Sequence, residues 1–201
     1  VHFSPGLGDI IGTSAPDTLA ALQILSFVTD LAARYDAHLI VTIRMPNVFP
    51  LAQELTRTGY MIANKPDSYK EDTVRFVSSD QDAYAAGVIG IMHHEKVASS
   101  ILAGLYMGEA LLIAESGASL GVMQVAITAS VMQVPFFVAA CDYTVIGEEL
   151  YAAGAYVSGD KRRIGAIAGQ DYLKLAIMAI IVLGTVVTAA GSTFIQTLIT
   201  K

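Results

Sequence analysis

Apolar residues along the chain fall into short blocks separated by polar or glycine-rich breaks, and the length and spacing of each block predict an element. Residues 2–13, HFSPGLGDIIGT, are glycine-rich and predict an irregular opening segment. Ser14-Ala15-Pro16-Asp17 has the form of a helix start, with proline near the first turn and Ser14 as the cap. Leu19, Leu22, Leu25, Val28 and Leu31 follow at helical spacing and predict a helix over 16–35. Ala37–Ile43 is a strand closed by Arg44-Met45-Pro46. Residues 47–58 predict a short helix ended by Gly59, with a short strand over 60–63 and a charged loop over 64–72. A strand over 74–77, a helix over 80–96 capped by Ser79 and a strand over 98–106 come next. A helix begins at Gly108 and breaks at Gly117. Gly117–Met132 reads as a buried helix, Pro135–Ala140 as the last strand, and Gly147–Val157 as a helix.

Strands alternating with helices imply a parallel sheet covered on both faces. The strand runs read as apolar throughout, as expected when both faces are buried. The expected fold is therefore α/β, a Rossmann-like parallel sheet flanked by helices over residues 1–158. A juxtamembrane linker over 159–172 and a C-terminal transmembrane helix over 173–200 are expected to follow.

That last helix rests on a run without charge. Leu175–Thr200 is 26 residues long and contains no Asp, Glu, Lys or Arg. About 20 apolar residues cross the hydrocarbon core. Thr185, Thr188, Ser192 and Gln196 recur three and four apart and share one face. Such a stripe either packs against another membrane helix or bonds to its own helix carbonyls. Gly117–Cys141 is a second uncharged run of 25 residues. Gln124, Gln133 and Pro135 favour a buried helix and strand there, with a second span as the alternative. Lys161, Arg162, Arg163 and Lys174 lie on the N-terminal side of the main span, which places the α/β domain in the cytoplasm. The chain opens on Val1, so an upstream segment stays possible.

Composition sharpens this picture. Hydrophobic residues make up 54% of the 201 and charged residues 15%, against about 25% charged in ordinary soluble domains. Disorder is excluded. A net charge of −6, with Lys161-Arg162-Arg163 the longest basic run, argues against nucleic acid as a partner. Cys141 is the only cysteine, which excludes a disulfide within the chain and suits a reducing compartment. Between Val97 and Cys141 only Glu109 and Glu115 are charged, so neighbouring protein or lipid is expected to cover part of the domain.

Ligands of open parallel sheets bind beyond the carboxyl ends of the strands. The residues expected there are Arg44, Ser78, Ser79, Glu109 and Asp142, a candidate site for a small anionic, nucleotide-like ligand. Ordinary helix-start roles explain the same residue types. Gly6-Leu7-Gly8-Asp9-Ile10-Ile11-Gly12 is one residue longer than the dinucleotide fingerprint, and no strand is secured before it. His93-His94-Glu95 is the one local cluster with metal-ligand chemistry. Adjacent helical residues point about 100° apart, so no metal site is assigned. Nothing beside Cys141 would lower its pKa. No catalytic residue and no cofactor is named by any motif.

Phe136–Tyr143, Gly147–Ala155 and His2–Asp9 together resemble an uncharacterised family of prokaryotic membrane proteins. The resemblance implies a membrane-anchored domain and carries over no catalytic residue. Three functions follow as expectations. The first is a structural or assembly component, anchored in the bilayer and joined to copies of itself or to other membrane subunits. The second is an enzyme or sensor at the sheet edge, and the third a multi-span membrane component.

Overall fold

The computed structural model describes residues 1–159 and 161–189, the side chains of 158, 163 and 187 excepted. The chain divides into two units, residues 1–159 and 160–201. In chain order the first contains β1 (His2–Gly6), α1 (Ala15–Arg34), β2 (Ile40–Ile43), α2 (Phe49–Ile62) and β3 (Val74–Phe76). Then come α3 (Gln81–His94), β4 (Ser99–Leu105), α4 (Glu109–Ser119), β5 (Met123–Thr128), α5 (Val134–Ala140), β6 (Tyr143–Ile146) and α6 (Glu149–Ser158). The strands form one sheet in the order β3-β2-β1-β4-β5-β6, and every neighbouring pair is parallel. The expected α/β fold is what this unit adopts.

The opening segment is not irregular. His2–Gly6 is a central strand, buried at all five positions. Pro5 conceals it, because proline removes a ladder donor. The ladder accommodates Pro5 with an irregularity: Ser4 lies opposite Leu102, but Gly6 lies opposite Leu105. Two glycines permit the close approach. Gly6 has φ +78°, and a Cβ there would sit 2.3 Å from the Leu105 carbonyl oxygen. Gly104 has φ +105°, and its Cβ would sit 2.5 Å from the Pro5 carbonyl oxygen.

The region after Gly117 also differs from expectation. α4 runs through Gly117 to Ser119, and the predicted helix over 117–132 contains β5 instead. The predicted last strand, Pro135–Ala140, lies in helix α5, with Pro135 in its first turn where a missing N–H costs nothing. The true last strand is β6. Since β5 pairs with β4 and β6, Gly117–Cys141 is not a spanning helix. Likewise α2 continues through Gly59 to Ile62 in place of the predicted strand. A Cβ at Gly59 would lie 2.6 Å from Thr29 Cγ2, so this glycine lets α2 approach α1. The cap of α3 is Asp80, not Ser79: Asp80 Oδ1 accepts from the Ala83 amide at 2.9 Å. Ser14 makes no side-chain cap bond and accepts from the Asp9 amide at 3.1 Å instead.

Two cores flank the sheet. On one face Phe3, Val41, Ile43, Val74, Ala103 and Ile127 pack with Leu22 and Leu25 of α1, Ala52 of α2 and Leu150 of α6. On the other, Leu102 and Ala126 pack with Tyr84 and Val88 of α3, Ile113 of α4 and Phe137 of α5. Each large apolar side chain so buried contributes about 1.5–3 kcal/mol. The strands are not uniformly apolar. His2, Ser4, Thr42, Ser100, Gln124 and Thr128 are buried, and strand alternation puts all six on the second face.

The second unit is described as one helix, α7 (Lys161–Ala189), so residues 161–172, expected as a linker, are helical. Within it, Ile164–Val186 has a mean hydropathy of 1.7 over its most apolar window and 23 residues. At about 1.5 Å per residue that length exceeds the ~30 Å hydrocarbon core. Among the described residues it is the one helix long and apolar enough to cross a membrane. Asp171 and Lys174 pair at 3.8 Å within it. Thr185 and Thr188 donate to the carbonyls of Ile181 and Gly184 at 2.8 and 2.9 Å. Their hydroxyls are thus satisfied within the helix. Ser192 and Gln196 lie outside the described residues.

Candidate functional site

The strand order reverses direction of growth between β1 and β4. In open α/β sheets the crevice beyond the carboxyl ends of two such strands is where ligands bind. One wall here is the connection from β1 to α1, which carries Gly6, Gly8 and Gly12. The strand missing from the sequence reading is present, so the order strand, glycine loop, helix is met. The loop leaves amides free: among the described residues those of Gly8, Ile11 and Gly12 have no protein acceptor. Its own carboxylate is engaged, as Asp9 accepts from the Ile10 amide at 2.7 Å and from Asn47 Nδ2 at 3.1 Å. Gly8 packs on α1, where a Cβ would meet Thr18 Oγ1 at 2.3 Å.

Arg44 ends β2 beside this loop. Its Nη1 donates to the Leu7 carbonyl at 3.2 Å, while its buried Nε has no protein partner. Glu109 opens α4 and is 1% exposed. Its two oxygens accept from the Met107 amide at 2.8 Å and from Gln81 Nε2 at 2.5 Å. Glu109 therefore ties the segment after β4 to the start of α3. Ser78 and Ser79 follow β3 at the same edge. Ser78 Oγ accepts from the Asp80 amide at 3.1 Å, and Ser79 is exposed. Burial pushes the Tyr84 hydroxyl up to about 12, with the Glu109 charge adding to the rise and the Arg44 charge opposing it.

Asp142 belongs elsewhere. It precedes β6, and its Oδ2 accepts from the amide of Gln124, near the start of β5, at 2.7 Å. It sits at the amino edge of the sheet because the segment before it is helix α5 and not a strand. Cys141, half-buried beside it, has its thiol pushed up to about 12 by burial and then by the Asp142 charge. Four of the five predicted residues thus share the carboxyl edge and the fifth does not.

A buried polar chain beneath that edge escaped the sequence reading. His2 Nδ1 is 2.8 Å from Ser100 Oγ, and His2 Nε2 is 2.9 Å from Thr42 Oγ1. Thr42 Oγ1 is 3.2 Å from the Tyr84 hydroxyl, which is 2.7 Å from Ser4 Oγ. Tyr106 donates to Ser4 Oγ at 2.7 Å. Burial lowers the pKa of His2 to about 3, so its imidazole is neutral. The available signal was the spacing His2-x-Ser4, two polar residues on one face of a strand, and it counts only once β1 is recognised.

Elsewhere, an open hollow of about 620 Å³ lies between α2 and residues 66–71, lined by Gln53, Glu54, Arg57 and Tyr69 among others. Its mixed charges single out no ligand. Among the described residues no three His, Cys, Asp or Glu side chains gather as a metal set.

No curated protein and no solved structure matches the chain. A family model described as a domain of unknown function (DUF6754) matches residues 1–199. The chain belongs to that family.

Proposed function

We propose that the α/β unit binds a small anionic, nucleotide-like ligand in the crevice between β1 and β4, and that α7 holds it at a bilayer. The observation that carries this reading is the placement of the glycine loop at the point where the strand order reverses. Free loop amides and the Arg44 guanidinium suit phosphate. Such a unit is a sensor or an enzyme, with Lys161, Arg162 and Arg163, directly ahead of the apolar stretch, favouring a cytoplasmic position. The test is a thermal-shift and calorimetric titration of the full chain in detergent with a panel of mono- and dinucleotides. At least one is expected to bind, and Arg44→Gln to weaken it about tenfold or more. No binding across the panel, or binding indifferent to Arg44→Gln, contradicts the reading.

A second reading, assembly with copies of itself, is favoured by the β6 edge. Tyr143-Thr144-Val145-Ile146 carries no charge and no proline, the usual protections of an exposed edge. The opposite edge, β3, carries Arg75, which pairs with Glu95 at 2.7 Å and with Asp72 at 4.0 Å. Tyr143, Ile146 and nearby Val138 are exposed. Antiparallel pairing of two β6 strands about a two-fold axis would satisfy both rows of backbone groups. Mass measurement of the detergent-solubilised chain tests this: a dimer that Tyr143→Lys converts to monomer supports it, and a monomeric parent chain contradicts it.

A further inference from the structure

The buried polar chain converges on a single atom, Ser4 Oγ. It accepts from the Gly6 amide at 3.2 Å and from the Tyr106 hydroxyl at 2.7 Å, and it lies 2.7 Å from the Tyr84 hydroxyl. A serine hydroxyl has two lone pairs and one proton. Both pairs are used, so its proton goes to Tyr84. The Tyr84 proton is then left for Thr42, whose carbonyl and hydroxyl oxygens are both 3.2 Å away. Both phenols are buried, which pushes Tyr84 up to about 12 and Tyr106 well above its ordinary value. They remain protonated donors. Every hydrogen-bonding position of Ser4 Oγ is therefore committed, and the partners come from three elements: α3 through Tyr84, the end of β4 through Tyr106, and the glycine loop through Gly6.

We propose that Ser4 is a positioning residue for the crevice. Its hydroxyl fixes the Gly6 amide at the irregularity of β1, and with it the path of the loop over 6–12, in register with α3 and the end of β4. This rests on the reading of the crevice as a ligand site. Ser4 itself is fully buried and touches no ligand; the loop amides and Arg44 do. Thr42 is the natural control. Its hydroxyl belongs to the same chain and is as deeply buried, yet it does not contact Gly6.

The test is amide hydrogen exchange on the full chain in detergent, without ligand, for Ser4→Ala, Ser4→Thr and Thr42→Val. Ser4→Ala is expected to speed exchange of the hydrogen-bonded loop amides, those of Leu7, Asp9 and Ile10, by about tenfold or more. Thr42→Val is expected to leave them near the parent rate, although it lowers the melting temperature comparably. Ser4→Thr, which keeps the hydroxyl, restores slow exchange. Unchanged loop exchange in Ser4→Ala, or equal acceleration in Thr42→Val, overturns the proposal. Should Ser4→Ala fail to fold, Tyr84→Phe is read instead. It releases the Ser4 proton from Tyr84, and loop exchange is expected to exceed that of Thr42→Val. If it does not, the proposal fails. Because no ligand is present, these outcomes are separate from the nucleotide titration, which alone decides whether the crevice binds one.

Discussion

Ser4 Oγ lies 2.7 Å from the Tyr84 hydroxyl, although 80 residues separate the two in sequence. The contact joins the central strand to α3, and both partners are fully buried. Removing one side leaves the other unsatisfied in a low-dielectric interior, which costs about 1–3 kcal/mol. Tyr84→Phe is therefore expected to lower unfolding free energy by that amount, measured by urea denaturation in detergent. Tyr35→Phe, at an exposed position, is expected to change it by less than about 0.5 kcal/mol.

His2 gives the fold a pH dependence of definite sign. Its pKa falls from 6.5 in the open chain to about 3 when folded, through burial. Between those values the unfolded chain binds a proton that the folded chain does not. Stability from this residue is therefore intact above pH 6.5 and falls as pH drops towards 3, by about 1.4 kcal/mol per unit. Denaturation measured at pH 7, 6, 5 and 4 is expected to show this slope. His2→Gln is expected to remove about one proton's worth of it, while costing stability at pH 7.

Gly6→Ala and Gly104→Ala are expected to destabilise by about 3 kcal/mol or more each, since both positions combine positive φ with backbone contact. Gly90→Ala runs the other way. Gly90 lies inside α3 with nothing within 4 Å of an added Cβ. Alanine there is expected to stabilise by about 0.5–1 kcal/mol. Melting temperatures of the three variants check both signs.

For α7 the expectation concerns the bilayer. Ile180 and Ile181 lie within the apolar stretch Ile164–Val186. A lysine costs about 2.5–3.5 kcal/mol of insertion at the centre of a spanning helix and less towards its ends, and two adjacent lysines compound the cost. Ile180→Lys combined with Ile181→Lys is expected to shift the chain from carbonate-resistant membrane to the soluble or aggregated fraction. Ile164→Lys, at the end of the apolar stretch beside Lys161 and Arg162, is expected to do so much less.

Much of the α/β pattern was legible because β2 and β4 are largely apolar blocks bounded by polar residues. The failures share a cause, which is that tertiary context overrode local pattern. Pro5 hid β1, and only the irregular pairing with β4 makes that proline tolerable. Gln124 looked like an interruption, yet it is a strand residue whose amide donates to the carbonyls of Ala114 and Ala140 at 2.7 and 3.1 Å. Phe136–Ala140 looked like a buried strand, since a short apolar run cannot be told from a buried helix by periodicity. Asp142 was misplaced for that reason alone. The hydroxyl and imidazole chain from Ser100 to Tyr106 joins residues of β1, β2, α3 and β4 and the residue after it, and only His2-x-Ser4 within it is a local spacing.

The central claim is that the crevice between β1 and β4 takes a nucleotide-like ligand. The most direct measurement is hydrogen-exchange footprinting of the full chain with and without the tightest-binding nucleotide of the panel. Protection is expected over residues 6–14 and 106–109, with Arg44→Gln reducing it. Protection confined to other segments, or none from any nucleotide, would contradict the account.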